Sequence, residues 1–195
     1  MPIDAEYREY LETQLKRTLL KKDHPLRPRT RYFIDLIAEQ IDLDMARVLC
    51  VGCRNYQELK YFRSHGVREA IGIDLYSEQA DIQMMDMHAL RFPDASFDLV
   101  YSSHSLEHAK EPERVVAEFA RVLNPNGCVA IEVPIEYQTT NADIHDFGSL
   151  ERLHGLFGTH LREVVWSERR EPNDPITAEP TAIARTIVRV NWLAG

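Results

Sequence analysis

The sequence has few cysteines and no long apolar run, and each scarcity excludes a class of protein. Only three of its 195 residues are cysteines, at Cys50, Cys53 and Cys128, so a disulfide framework is not expected. Cys50 and Cys53 have the spacing of a redox or metal pair, but no second pair completes a zinc site, and structural packing is favoured. No window approaches the roughly 18 apolar residues that span a bilayer, and the first ten residues lack a signal-peptide core. We therefore expect a cytoplasmic protein without a membrane span.

An excess of basic residues is also missing, which argues against nucleic acid as a partner. The chain carries 23 lysines and arginines against 31 acidic residues, a formal net charge of −8, whereas sequence-independent nucleic acid binding depends on basic surface. The first 31 residues differ, because they hold a basic group: Lys16, Arg17, Lys21, Lys22, Arg27, Arg29 and Arg31. These side chains either contact an anionic substrate or carrier, or form the solvated face of a helix and loop.

Hydrophobic periodicity indicates two helices followed by alternating strands and helices. Tyr7, Tyr10, Leu11 and Leu15 recur at helical spacing, and a second helix is predicted over 30–41. Short apolar runs predict seven strands, at 48–51, 70–74, 82–85, 97–101, 128–133, 162–166 and 183–190. Further helices are predicted at 56–65, 112–123 and 149–157, and the segment 124–127 is a strong turn signal.

This alternation of strands and helices predicts an α/β fold with a mainly parallel sheet covered on both faces. Only 76–81 separate the second strand from the third, so the crossover helix is expected to be missing there. The proline-rich stretch before the last strand lacks a helical period, which predicts an antiparallel pairing at the end of the sheet. We divide the chain into an N-terminal helical extension, 1–44, and a single domain, 45–195. The extension is either a lid over the cleft or a contact surface for a homodimer.

Polar residues follow three successive strands at the edge where an open parallel sheet binds its ligands. The first strand ends at Gly52, and the following loop enters a helix whose amides form an electropositive rim. Asp74 ends the second strand, where a carboxylate accepts hydrogen bonds from both hydroxyls of a ribose. Asp86 and the amide of Met87 follow the third strand and can contact an adenine edge. One such aspartate is often only a turn cap, but two on successive strands favour a nucleoside cofactor.

These residues also carry a family resemblance, which extends over about 48–133. The chain resembles the class I S-adenosylmethionine-dependent methyltransferases that modify small molecules. The matching segments are VLCVGC from Val48, IGID from Ile71, LRFPDASFDLV from Leu90, SLEH from Ser105 and RVLNPNG from Arg121. The resemblance implies S-adenosylmethionine as cofactor, a Rossmann-like seven-stranded sheet with an antiparallel last strand, and methyl transfer to a small or carrier-borne metabolite.

Roles for individual residues also come from the resemblance. It implies that Asp74 binds the ribose, that Asp86 and Met87 frame the adenine, and that 102–104, with Ser103, line the wall beside the methionine portion. The full set of predicted cofactor residues is Gly52, Cys53, Arg54, Asn55, Asp74, Leu75, Asp86, Met87 and Ser103.

The loop after the first strand departs from the family pattern at three positions. The family usually has an acid where Cys50 stands, and glycines where Arg54 and Tyr56 stand. One hypothesis is that Arg54 compensates by pairing with the cofactor carboxylate. The alternative is that the altered loop weakens cofactor binding, so that the chain is a non-catalytic binding or partner module. A nicotinamide-dependent dehydrogenase is disfavoured, because no Gly-x-Gly-x-x-Gly follows the first strand.

Two histidines are candidates for a catalytic role. His104 follows the fourth strand and should face the cleft, while His145 lies in the polar loop 136–148, where substrate contacts are expected. Either imidazole is able to take a proton from a hydroxyl or an amine, although loop histidines are mostly solvated or structural. Asp143, His145 and Asp146 have ligand types that suit a divalent metal, but they fit a capped turn equally well, and no metal is predicted.

Overall fold

A seven-stranded mixed sheet forms the centre of the molecule in the computed structural model, which describes residues 5–21, 25–53, 56–176 and 178–191. The strands are β1 (Arg47–Val51), β2 (Glu69–Asp74), β3 (Ile82–Met84), β4 (Phe97–Ser103), β5 (Leu123–Ile135), β6 (Leu161–Arg170) and β7 (Ala182–Val190). Their order across the sheet is β3-β2-β1-β4-β5-β7-β6. The first five pair in parallel, whereas β7 is antiparallel to β5 and β6. The predicted Rossmann-like sheet and its antiparallel end are confirmed.

In the part of the chain that the structure describes, five α-helices flank this sheet or precede it. They are α1 (Ala5–Lys21), α2 (Pro28–Gln40), α3 (Tyr56–Arg63), α4 (Pro112–Val122) and α5 (Leu150–Gly155). Pro28 and Pro112 each stand at a helix start, where a missing amide proton costs nothing. The connection 76–81 contains no helix, as its length requires. Within the described ranges, no helix is both long enough and apolar enough to cross a membrane.

The start of β5 is the place where the local structure differs most from the sequence-based expectation. The segment 124–127 was expected as a turn before a strand at 128–133, but β5 already begins at Leu123. Its pairing with β4 jumps from Phe97–Leu123 to Leu99–Cys128, so four residues bulge out of the ladder. Asn126 takes up the bulge with a φ of 73°. The segment predicted as a turn is therefore a bulge near the start of β5, which follows α4 directly after Val122.

The two faces of the sheet bury separate hydrophobic clusters. One cluster joins the sheet to α4 and α5, and the other joins it to α2 and α3. Phe33, Ile34 and Ile37 of α2 are completely buried, so α2 is part of the core. In contrast, the described residues of α1 contribute no buried hydrophobic side chain to either cluster. Helix α1 is held in place by polar and aromatic contacts instead.

A buried ion pair connects α2 to the antiparallel end of the sheet. Glu132 of β5 and Arg185 of β7 are both fully buried, with 2.5 Å between Oε2 and Nε. Arg185 also contacts Glu168 of β6 at 2.6 Å, and its guanidinium lies over the ring of Tyr32 at 5.1 Å. Arg29 of α2 approaches Glu132 at 3.2 Å. Although burial alone would raise the pKa of Glu132, contacts with His104 and the arginines hold it well below its usual range.

Candidate active site

A groove with a volume of about 70 Å³ lies beyond the carboxyl ends of β1, β2 and β3. Five of the nine predicted cofactor residues line it: Gly52, Asp74, Leu75, Asp86 and Met87. Parallel strands bring these positions together because their carboxyl ends meet at one edge of the sheet. The groove is therefore located where the sequence predicted the cofactor site.

Gly52 gives the groove its floor, because the chain turns sharply there at the end of β1. Its φ is 72°, and the amides of Gly52 and Cys53 both donate hydrogen bonds to the carbonyl of Ile73, at 2.9 and 3.0 Å. A Cβ atom at this position would overlap the hydroxyl of Ser105. Only glycine combines this left-handed backbone with so close an approach to the next loop.

Two carboxylates form the polar wall of the groove. Asp74 is 8% exposed, and its Oδ1 accepts hydrogen bonds from the amide of Leu75 at 2.7 Å and from the hydroxyl of Thr18 at 3.0 Å. Asp86 accepts hydrogen bonds from the hydroxyl of Tyr7 at 2.6 Å and from the ring of His88 at 2.7 Å. Burial opposes ionisation of Asp86, but these donors bring its pKa below the usual value.

Helix α1 lies across the groove and fills part of it. Tyr10, Gln14, Arg17 and Thr18 all line the groove. Gln14 donates a hydrogen bond to the carbonyl of Ala142 at 3.0 Å, and Arg17 pairs with Asp143 at 2.6 Å. The helix therefore contacts both the cofactor edge of the sheet and the loop after β5.

A second cavity, of about 330 Å³, adjoins the groove and shares Arg17 and His104 with it. Its other polar lining residues include Arg27, Arg29, Glu107, Tyr137, Asp143 and Glu179. Three members of the basic group identified in the sequence therefore line this cavity. Each is paired with a carboxylate: Arg17 with Asp143, and both Arg27 and Arg29 with Glu179.

His104 stands at the junction of the two cavities. It follows β4 with a φ of 51°, and its amide donates a hydrogen bond to the carbonyl of Glu132 at 2.8 Å. The ring Nε2 lies 3.3 Å from the Glu132 carboxylate. Burial, together with the charge of Arg29, lowers the pKa of His104, so its imidazole is neutral at neutral pH.

Glu107 is a polar residue of the second cavity that the sequence reasoning did not select. Its side chain is 1% exposed, and its Oε2 has no hydrogen-bond partner among the described residues. Burial raises the pKa of Glu107 to about 8, and the charge of Asp143 adds to the effect. Its position in the SLEH segment, directly after a strand end that faces the cleft, was the available signal.

The other predicted residues lie away from both cavities or outside the described residues. Cys53 is completely buried, and its thiol hydrogen-bonds to that of Cys50. Ser103 donates a hydrogen bond to Glu132 at 2.8 Å. His145 stacks on Phe147 and is absent from the described lining of both cavities. Arg54 and Asn55 lie outside the described residues, so the proposed pairing of Arg54 with a carboxylate stays a prediction.

The acidic loop considered for metal binding is organised by hydrogen bonds. Asp146 accepts hydrogen bonds from the amides of Glu136 and Gly148, both at 2.9 Å, as a turn cap does. Asp143 lies near Glu107 and His108, with ligand atoms within 4.8 Å of one another. The Arg17 guanidinium already neutralises Asp143 there.

Comparison with known proteins finds a family match over part of the chain. Residues 49–131, which span β1 to β5 up to Ile131, match the family model described as a methyltransferase domain. Over this stretch the chain is similar to S-adenosylmethionine-dependent methyltransferase domains.

The chain shares its fold with a solved methyltransferase across nearly its whole length. The structure of 1,6-didemethyltoxoflavin-N1-methyltransferase from Burkholderia thailandensis, with bound 1,6-didemethyltoxoflavin and S-adenosylhomocysteine, superposes with a TM-score of 0.70. The match covers 98% of this chain and 92% of that chain at 18% identity.

Two curated relatives match shorter parts of the sequence. A glycine/sarcosine/dimethylglycine N-methyltransferase from Actinopolyspora halophila is 32% identical over 105 residues, 53% of this chain. A phosphatidylethanolamine N-methyltransferase from Cereibacter sphaeroides is 40% identical over 63 residues, 32% of this chain. The matches span only 18% and 30% of the lengths of these relatives.

Proposed function

We propose that this chain transfers a methyl group from S-adenosylmethionine to a compact polar metabolite that carries one anionic group. The observation behind the proposal is the pairing of two sites. Asp74 and Asp86 stand on adjacent strand ends in one groove, and a polar cavity adjoins that groove at His104. Methyl transfer requires a cofactor site and an acceptor site that meet at one point.

The groove residues fit the parts of the cofactor. The two carboxylates would hold the ribose hydroxyls and an adenine edge, and the Met87 amide would complete the adenine contact. Gly52, where a side chain would fill the space beside Ser105, leaves room for the methionine portion. When bound, S-adenosylmethionine supplies an electrophilic methyl on a positively charged sulfur. The protein then has to orient the acceptor in line with that methyl.

Helix α1 is best explained as a lid, carried by the extension 1–44, whose second helix, α2, packs into the core of the domain 45–195. Ligand sites usually measure roughly 300–1,000 Å³, whereas the groove has about 70 Å³ with α1 in place. Thr18 and Tyr7 hold Asp74 and Asp86, so cofactor entry requires α1 to move. These inward contacts favour the lid over the homodimer contact.

The charges of the second cavity support an acceptor with one anionic group. Arg17, Arg27 and Arg29 face two carboxylates, Asp143 and Glu179. As long as Glu107 holds its proton, which its raised pKa favours near pH 7, the residues lining this cavity carry one positive charge in excess. Both curated relatives are named as N-methyltransferases, of glycine and its methyl derivatives and of phosphatidylethanolamine. A free metabolite and a carrier-borne one both agree with this charge.

Of the two predicted catalytic histidines, we retain His104 as a residue at the reacting groups. Its ring borders both cavities, where the methyl would pass. His145, stacked on Phe147, is left with a role in shaping the loop.

The test is calorimetric titration of S-adenosylmethionine and S-adenosylhomocysteine into the wild type and Asp74→Asn. Loss of a hydrogen-bonding charge costs about 1.5–3 kcal/mol, so Asp74→Asn should bind roughly 10- to 100-fold more weakly. Asp94→Asn, which changes an exposed carboxylate paired with Arg121, serves as the matched control and should bind as the wild type does. Absence of binding at millimolar ligand would contradict the proposal and favour a non-catalytic partner module.

A further inference from the structure

Glu107 combines features that no other described carboxylate of the second cavity has. It is fully buried, it borders the cavity, and its Oε2 lacks a hydrogen-bond partner among the described residues. A buried polar atom without a partner costs free energy, so such atoms are rare unless they serve a ligand or a reaction. The backbone of Glu107 is fixed, because its carbonyl accepts hydrogen bonds from Ile144 and His145, both at 3.1 Å.

The carboxyl group lies next to the junction of the two cavities. Its Oε1 is 3.7 Å from Nδ1 of His104, which borders both cavities, and 3.7 Å from Nε2 of His108, which borders the groove. An acceptor in the second cavity that points its nucleophile at the groove would therefore pass beside Glu107.

We propose that Glu107 is the proton acceptor of this second cavity, and that the acceptor's nucleophile is a nitrogen or oxygen bearing a proton. The inference rests on the proposed methyl transfer and assigns a catalytic residue and an acceptor chemistry to it. Compact amines and acidic hydroxyl compounds are the substrate class that requires such a group, whereas a thioether or a tertiary amine does not.

In this step the acceptor loses one proton and gains one methyl group. The proton of the acceptor N–H or O–H moves to a Glu107 oxygen, and the electron pair of the nucleophile forms the bond to the methyl carbon. The carbon–sulfur bond breaks, and its electron pair stays on sulfur. The products are the methylated acceptor, S-adenosylhomocysteine and a protonated Glu107, which loses its proton to solvent before the next turnover.

Base strength favours Glu107 over its neighbours. A general base works best when its pKa lies near the working pH. Burial raises the pKa of Glu107 to about 8, whereas burial lowers the pKa of both His104 and His108. Glu132 is held ionised by arginines and is therefore a weak base.

Several charged or titratable groups surround Glu107 and contribute to its proton affinity. Two arginines, from α1 and α2, favour its charged form. Asp143, in the loop after β5, opposes it. Among the described residues, the groups that face Glu107 are Arg17, Arg29, His104, His108, Tyr137 and Asp143.

The variants for the test are Glu107→Gln, which keeps the shape but removes the base, and Glu107→Asp, which restores a carboxylate. Glu111→Gln is the control, because Glu111 is exposed, pairs with Arg114, and lies outside the described lining of both cavities. S-adenosylhomocysteine affinity is measured first by calorimetry. All four proteins should agree within about twofold, because Glu107 does not line the groove.

Methyl transfer is then measured with methyl-labelled S-adenosylmethionine and two acceptor probes, sarcosine as an amine and 4-hydroxybenzoate as a phenol. The wild type should methylate at least one probe, with kcat/KM rising with pH and reaching half of its maximum near pH 8. Glu107→Gln should lose roughly 100-fold or more in kcat, with an unchanged KM for S-adenosylmethionine and a flattened pH profile. Glu107→Asp should recover part of the rate.

Two results would overturn the assignment while leaving the proposed function intact. They are a Glu107→Gln rate within about threefold of wild type with the same pH profile, and S-adenosylhomocysteine binding without methylation of either probe. If the wild type binds no S-adenosylhomocysteine, the proposed function fails, and this inference fails with it.

Discussion

The hydroxyl of Tyr7 donates a 2.6 Å hydrogen bond to Asp86, so the first helix holds the carboxylate at the end of the third strand. Thr18 does the same to Asp74, one strand away, at 3.0 Å. The two carboxylates proposed to bind the nucleoside are therefore satisfied internally when α1 is closed. Any ligand at this edge has to replace these hydrogen bonds. Helix α1 and the ligand therefore compete for the same two carboxylates.

The competition predicts that removing a lid contact strengthens ligand binding. Tyr7→Phe deletes the hydroxyl that occupies Asp86, and a hydrogen bond to a charged group is worth about 1.5–3 kcal/mol at most. We expect S-adenosylhomocysteine to bind roughly 3- to 10-fold more tightly by calorimetry. Tyr76→Phe removes a hydroxyl that donates to Glu78 on the surface and should leave the affinity unchanged. Weaker binding by Tyr7→Phe would show that Tyr7 contacts the ligand.

The sharp turn at the floor of the groove predicts that Gly52 does not tolerate a side chain. Gly52→Ala adds a Cβ atom that overlaps the Ser105 side chain, and it places alanine at a φ of 72°. The strained backbone alone costs about 1–2 kcal/mol, and the displaced loop should reduce S-adenosylhomocysteine affinity at least 10-fold. Gly155→Ala is the matched control, because its Cβ would meet nothing within 4 Å. Normal binding by Gly52→Ala would mean that the loop of Ser105 is free to shift.

The buried ion pair predicts a large effect on stability. Glu132→Gln leaves the fully buried Arg185 with one carboxylate partner, Glu168, instead of two. Removing one member of a buried pair costs about 3–5 kcal/mol of unfolding free energy, measurable by urea denaturation. The exposed pair Glu163–Arg189 gives the comparison, and Glu163→Gln should cost about 1 kcal/mol or less. Similar values for the two variants would argue that water reaches Arg185.

The raised pKa of Glu107 predicts a pH-dependent stability of a defined sign. Between the unfolded value of 4.5 and the folded value of about 8, the folded state holds a proton that the unfolded state has lost. The unfolding free energy should therefore fall as pH rises through this window, by about 1.4 kcal/mol per pH unit relative to Glu107→Gln. Above the window the difference should stop changing. Parallel urea titrations from pH 5 to 9 measure this, and equal slopes for both proteins would place Glu107 in contact with solvent.

The sequence predicted the parts of the molecule that depend on local pattern. The apolar runs identify the seven strands, and the short connection 76–81 identifies the missing helix, because both follow from periodicity and chain length. Asp74 and Asp86 were found because strand ends gather ligands in a parallel sheet.

The rest of the site depends on contacts between distant residues. Tyr7 and Asp86 are 79 positions apart, and Thr18 and Asp74 are 56 apart, so no local spacing could indicate that α1 covers the groove. Glu107 could not be selected either, since its pKa depends on burial and on the charges of Asp143, Arg17 and Arg29, which are distant in the sequence. The bulge at 124–127 arises from the pairing between β4 and β5 rather than from the turn residues alone.

The two outer strands of the sheet also limit how copies of the chain can associate. At one edge, β3 offers three residues, too few to serve as a template for a foreign strand. At the other edge, the ten residues of β6 include a charged series that ends in Glu168, Arg169 and Arg170. Short edges and charged edges both resist the strand addition that leads to domain swapping and fibres. Neither edge strand therefore favours pairing with a strand from another copy, and self-association through continued β-pairing is disfavoured.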